Sequence, residues 1–100
     1  MLSKIPVDLE KIARGTLDKE ILRAGIIAEL DAINLYEQMA ALTENKNIRK
    51  ILLDVAREEK THVGEFQTLL LKEDKELEKE LEEGRKEVEK ETGSKIAITG

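Results

Sequence analysis

Two carboxylates and one imidazole interrupt the apolar stripes of two segments that have the periodicity of helices. In the first segment Glu29 lies on the same line as Ile26 and Ile33. In the second, Glu59 and His62 continue a face that is apolar on both sides of them. The other residues of the two stripes are Leu22, Tyr36, Ile48, Leu52, Val55, Phe66 and Leu69. Because burying a carboxylate or an imidazole is costly unless a partner satisfies it, the three polar residues are candidate metal ligands.

The spacing of these residues supports the same interpretation. Glu59 and His62 form a Glu-x-x-His pair, which places both side chains one turn apart on one helix face. This pair alone is a weak motif, since glutamate is abundant in the chain. Glu29 strengthens it, because it lies about 13 residues before the centre of the intervening loop, whereas the pair lies about 14 to 17 residues after it, level in an antiparallel hairpin. Carboxylates with an imidazole suit iron or manganese better than zinc.

The elements that must position these side chains are two long helices. They are predicted at about 17–42 and 48–72, and the short polar loop at 43–47 implies that they are antiparallel neighbours. A third, mostly charged helix is predicted over about 74–92, with Gly93 as its stop. Its narrow apolar seam consists of Leu77, Leu81, Gly84 and Val88. The expected fold is therefore all-α, an antiparallel two-helix hairpin followed by a C-terminal helix.

The ends of the chain differ from this central region. Residues 1–16 are expected to be a lead-in with a short helix at 7–13, and Thr16 is suited to cap the first long helix. Residues 17–92 are expected to be one helical domain. Residues 93–100 are small and β-branched, and we expect a flexible tail, a linker or a docking peptide there.

Composition limits the class of protein. A chain of 100 residues with 40% hydrophobic and 2% aromatic residues can build only a thin core, so oligomerisation is expected. The net charge of −5 argues against nucleic-acid binding, and the lack of cysteine excludes thiolate ligands. The sequence shows neither a membrane-spanning stretch nor a signal-peptide apolar region, so a cytoplasmic location with no membrane partner is predicted.

The ligand set and the bundle are both incomplete. One chain offers three ligands and two long helices. A two-fold axis through the site would bring two hairpins face to face, which gives a four-helix bundle with six ligands for two ions. We therefore expect the chain to complete its fold by dimerisation.

Two stretches of the sequence closely resemble the encapsulated ferritins, which are half-length ferritin-like di-iron proteins. They are IIAELDAINLYE at 26–37 and DVAREEKTH at 54–62. A similar segment occurs at the front of some archaeal encapsulin shell proteins. The resemblance covers roughly residues 17–92, and the motif residues are Glu29, Tyr36, Glu59 and His62.

This resemblance implies a ferroxidase that binds two iron ions at each dimer interface. Glu29 and His62 would be terminal ligands, Glu59 would bridge the ions, and Tyr36 would lie beside the centre. It further implies that dimers assemble into an annular decamer. Ferrous iron would be oxidised by dioxygen or peroxide and stored inside an encapsulin nanocompartment. Manganese or another divalent metal is the alternative to iron.

Some relatives carry an acid just before the first ligand and an aromatic residue just before the tyrosine. Ala28 and Leu35 occupy these positions here, which leaves Asp31 as the candidate for an accessory iron-uptake site.

Two other functions stay open. One is an oligomeric structural or cargo module whose polar residues form a buried hydrogen-bonded network. The other is a rubrerythrin-like peroxide-reducing protein, although the absence of cysteine removes a rubredoxin-type electron relay within this chain.

Overall fold

The computed structural model describes residues 16–95, and these fold into three α-helices. Helix α1 is Leu17–Leu42, α2 is Lys46–Glu73 and α3 is Lys75–Thr92. The all-α hairpin with a C-terminal helix is confirmed, and no strand occurs among the described residues. The short helix predicted at 7–13 and the tail from residue 96 lie outside this range. The domain boundaries and the dimeric four-helix bundle stay predictions.

The loop between α1 and α2 is shorter than predicted because an asparagine starts the second helix early. Asn45 is the N-cap of α2, and its side chain accepts hydrogen bonds from the backbone N–H groups of Asn47 at 2.9 Å and Ile48 at 3.1 Å. These bonds satisfy amides that have no partner inside the helix. Helix α2 therefore begins at Lys46, two residues before the predicted start. Thr16 is the N-cap residue of α1, as predicted, although its side chain makes no capping hydrogen bond.

The core of the hairpin is small, as its composition predicts. The buried apolar residues of the described chain are Ile33, Ala40, Ala56 and Leu70. Two residues that the periodicity assigned to the inward stripe are instead half exposed, Ile48 at 50% and Leu69 at 51%. Ile48 lies in the first turn of α2, beside the loop. Leu69 is displaced because the adjacent Leu70 takes the inward position.

Helix α3 is joined to the hairpin through one residue. The backbone N–H of Asp74 donates to the carbonyl of Leu70 at 2.8 Å and ends α2, and its carboxylate accepts the N–H of Leu77 at 3.0 Å and caps α3. The same carboxylate forms an ion pair with Arg23 of α1 at 2.8 Å. The Leu77 amide and then the Arg23 guanidinium hold the pKa of Asp74 below its usual value. Asp74 thus connects all three helices.

Beyond this junction α3 leaves the hairpin, and the molecule measures 46 × 45 × 21 Å. The apolar seam predicted on α3 packs only partly against the hairpin, since Leu81 and Val88 are each 47% exposed. Gly84 does not interrupt the helix, and Gly93 ends it with a positive φ of 68°, as predicted. Arg85 pairs with Glu82 and Glu89 one turn away on either side, contacts that stabilise an exposed helix. These pairs lower the pKa of Glu82 and raise that of Arg85.

Candidate metal centre

The three polar residues that interrupt the stripes meet in the middle of the hairpin. Glu29 lies near the centre of α1, and Glu59 and His62 lie near the centre of α2. Each contributes one ligand atom to a group in which all these atoms lie within 4.8 Å of one another. The antiparallel pairing therefore places them level, as residue counting predicts.

The imidazole of His62 lies between the two carboxylates. Its Nδ1 is 3.4 Å from Oε2 of Glu59 and 3.4 Å from Oε2 of Glu29. The first contact has hydrogen-bond geometry, whereas Oε2 of Glu29 is buried and accepts no hydrogen bond. A buried carboxylate oxygen without a donor costs free energy comparable to its desolvation. A cation bound between these three side chains would satisfy that oxygen, so the donor set fits a metal ion.

The group is buried on one side and accessible on the other. The side chains of Glu29 and Glu59 are each 19% exposed, whereas that of His62 is 44% exposed. On α2, Ile51 lies three turns before His62 and Leu69 two turns after it, so all three share one stripe. Ile51 is 60% exposed, and Leu69 lines a surface groove together with Ile21 of α1. We call the surface formed by Ile21, Ile51, His62 and Leu69 the open face.

Helix α3 lies on the other edge of the hairpin. A groove of about 340 Å³ separates α3 from α1 and α2 there. It is lined by Arg23, Ile26, Ile27, Gln67, Leu70, Leu77 and Leu81. We call this edge the covered face. The lysine next to Glu59 in the chain does not neutralise it. The ammonium group of Lys60 forms an ion pair with Glu37 of α1 at 2.9 Å.

The other residues singled out in the sequence lie outside the three-ligand group. Tyr36 is half-buried and lies seven residues after Glu29, about 10 Å along the helix axis. Asp31 lies two residues after Glu29, which places it about 200° around α1. Their predicted roles, beside the centre and in iron uptake, stay predictions. The sequence pattern assigned no role to Gly25, which contacts Phe66 in the structure. Its position one turn before Glu29, on the same side of α1, could have indicated a close helix–helix contact there.

The antiparallel hairpin, its level carboxylates and its Glu-x-x-His pair are the features of the ferritin-like class of helical proteins. The Rubrerythrin family model matches residues 20–99, and the chain belongs to this family. Within the described residues, none of the helices has the length and apolarity needed to cross a membrane.

Similar proteins narrow the class to encapsulin-associated ferritins, which confirms the resemblance. The crystal structure of the encapsulated ferritin domain from Pyrococcus furiosus superimposes with a TM-score of 0.82 at 55% identity, covering 96% of this chain and 100% of that chain. The Ferritin-like-encapsulin shell fusion protein of the same organism is 68% identical over 79 residues, which are 79% of this chain and 23% of that protein.

A more distant relative comes from another organism. The Encapsulin nanocompartment cargo protein EncC of Myxococcus xanthus is 38% identical over 68 residues, which are 65% of this chain and 52% of that protein. The chain thus spans about a quarter of one curated relative and about half of the other.

Proposed function

We propose that this chain is a ferroxidase of the encapsulated ferritin type, which oxidises ferrous iron at a site between two subunits. The observation that carries the proposal is the buried, unpaired Oε2 of Glu29 beside Glu59 and His62. A purely structural network would be expected to satisfy all its buried oxygens internally. A metal-binding set instead keeps oxygens without donors, because the cation is their partner.

The site is proposed to be completed by a second copy of the chain. Three ligands from one chain leave a di-iron centre half made, and a two-fold axis at the open face would supply the other three. The exposure of Ile51 and Leu69 on the same face supports this arrangement, since a contact there would bury apolar surface. Assembly of such dimers into an annular decamer is the larger structure that the resemblance implies.

Within the proposed centre, Glu29, Glu59 and His62 would hold the iron, and the terminal roles of Glu29 and His62 and the bridging role of Glu59 are those that the resemblance implies. Bound iron supplies the one-electron redox chemistry, with dioxygen or peroxide as the electron acceptor. The carboxylates contribute negative charge that balances the added charge of ferric iron. His62 would offer the lone pair of a ring nitrogen, which only the neutral imidazole has available. Tyr36 would lie beside the centre, as the resemblance implies. Manganese is the alternative metal.

Storage is proposed to take place inside an encapsulin shell. The names of two relatives describe an encapsulin shell fusion protein and an encapsulin nanocompartment cargo protein. The three helices at residues 16–95 have a thin core and enclose no cavity large enough to hold mineral. We therefore propose that the ferric product leaves the subunit and accumulates in the compartment that surrounds it.

The test is the initial rate of ferrous iron oxidation under air for wild type, Glu59→Ala and Glu58→Ala. Glu58 is an exposed acid next to Glu59 and outside the three-ligand group, so it controls for lost negative charge. We expect Glu58→Ala to match wild type and Glu59→Ala to fall to the rate of a protein-free solution. Equal rates for wild type and Glu59→Ala would contradict the proposal and favour the structural module.

A further inference from the structure

Helix α1 contacts the aromatic side chain of Phe66 on α2 at a glycine, Gly25. A Cβ atom built on Gly25 would lie 3.2 Å from Cδ2 and 3.3 Å from Cε2 of Phe66. Carbon atoms in ordinary contact are about 3.5 to 4.0 Å apart. The ring therefore occupies space that any larger residue at position 25 would need.

This contact lies next to the candidate metal centre. Gly25 is one turn before Glu29 on α1, and Phe66 is one turn after His62 on α2. Because the helices are antiparallel, both positions lie at the same level, on the side of the centre that faces away from the loop. On the loop side, the adjacent turns hold Ile33, which is 8% exposed, and Ala56, which is 1% exposed.

The separation of the two helices at this level determines whether the ligands reach one ion. Glu29 is on α1 and the other two ligands are on α2, so no property of either helix alone fixes the distances between them. His62 Nδ1 lies 3.4 Å from both carboxylates. Metal–ligand distances tolerate changes of only about 0.2 Å. A displacement of a few tenths of an ångström at the Gly25 contact therefore exceeds the tolerance of the centre.

We propose that Gly25 and Phe66 are positioning residues for the metal centre. The bare backbone at Gly25 receives the ring of Phe66, and this contact closes the hairpin to the separation at which Glu29 meets the Glu-x-x-His pair. The inference rests on the proposed metal site. It assigns no contact between either residue and the metal.

The test compares Gly25→Ala with Gly64→Ala. Gly64 lies in α2 two residues after His62, and a Cβ atom there meets nothing within 4 Å. Both changes add the same methyl group and the same gain in helix propensity. They differ only in the contact with Phe66. The measurement is titration with cobalt(II), read by the visible absorption of the bound ion, which reports ligand geometry without any turnover.

We expect Gly25→Ala to bind cobalt(II) roughly tenfold more weakly, with an altered absorption spectrum, as supporting residues around metal ligands do. Gly64→Ala should match wild type. The double variant Gly25→Ala/Phe66→Leu should recover most of the affinity relative to Gly25→Ala, because leucine vacates the space that the new methyl needs. This recovery would distinguish positioning from a general loss of stability.

Two results would overturn the inference. One is identical affinity and spectrum for Gly25→Ala and wild type. The other is a loss of cobalt(II) affinity that accompanies a change of sedimenting species at the same protein concentration, since the glycine would then act on assembly. If wild type and Gly64→Ala also bind no cobalt(II), the proposed metal site itself fails, which is a separate outcome.

Discussion

The covered face and the open face of the hairpin differ in how the chain treats its apolar side chains. On the covered face, Leu70 is 3% exposed at the base of the groove beside α3, and the Arg23–Asp74 ion pair attaches the start of α3 to this edge. On the open face, the adjacent Leu69 is 51% exposed and shares a stripe with His62. The chain buries apolar side chains on one face and leaves them exposed on the other, where the proposed second copy would bind.

This difference explains the location of the candidate metal centre. A ligand set that one chain completed could lie anywhere in its core. A set that two chains shared, as proposed here, would have to reach the surface through which they met, and 44% of the His62 side chain is exposed on the open face. The Arg23–Asp74 ion pair attaches the start of α3 to the opposite edge, where the helix would not obstruct the proposed second copy.

The largest expected effect is a difference in the free energy of unfolding between alanine variants of two neighbouring leucines, one on each face. Leu70→Ala should lower the free energy of unfolding by about 2 to 5 kcal/mol, because it removes a buried side chain from the core of the hairpin. Leu69→Ala should change it by about 0.5 kcal/mol or less, because its side chain is half exposed in the single chain. The measurement is urea denaturation followed by circular dichroism, with a metal chelator and at low protein concentration.

Equal losses of stability for these two variants would show that the single chain does not distinguish its faces.

The sequence alone gave the wrong assignment of Leu69, since helical periodicity placed it on the inward stripe. Periodicity predicts that α2 has one apolar face, but it does not fix the rotation of that face to within one residue. The rotation depends on which neighbours pack against α1 and α3, which is a tertiary property.

Other parts of the fold and of the site were predictable from local patterns. The ends of α1 and the meeting of Glu29 with the Glu-x-x-His pair follow from spacing and from one short loop. The contacts between Arg23 and Asp74 and between Gly25 and Phe66 were not predictable in this way. Each joins residues about 40 to 50 positions apart, and no local pattern marks such a pairing.

The second prediction concerns self-association. Ile51 on the open face is 60% exposed, and Leu53, two residues later on α2, is 46% exposed and points elsewhere. We expect Ile51→Lys to weaken the dimer by about 2 kcal/mol or more, roughly 30-fold in Kd, because it places a charge in the proposed interface. Leu53→Lys serves as the control and should leave the dimer unchanged. Sedimentation velocity over a concentration series measures both.

If Leu53→Lys dissociated the dimer and Ile51→Lys did not, the second copy would have to bind elsewhere. The centre would then lack its other three ligands, and the proposed ferroxidase site would lose its structural basis. Loss of cobalt(II) binding in parallel with the dimer in Ile51→Lys would instead link assembly to the metal centre.

The smallest expected effect concerns the charge that holds α3 to the covered face. Asp74→Asn keeps an N-cap for α3, because asparagine also accepts a backbone N–H, but it removes the ion pair with Arg23. The pKa of Asp74 is lowered from 3.8, so its ionised form stabilises the folded chain fully above that pH. We expect wild type to melt a few degrees above Asp74→Asn at neutral pH, measured by circular dichroism.

This difference in Tm should shrink as the pH falls below 3.8 and through the lower folded-state pKa, where Asp74 becomes neutral in both states. Asp54→Asn is the matched control, because Asp54 pairs with Arg57 at the same 2.8 Å but within α2, on an exposed surface. An exposed pair within one helix contributes little, so its removal should hardly change Tm. Equal effects of the two substitutions would mean that the Arg23–Asp74 pair is an ordinary surface contact, and the attachment of α3 would then depend on Leu77 and Leu81 alone.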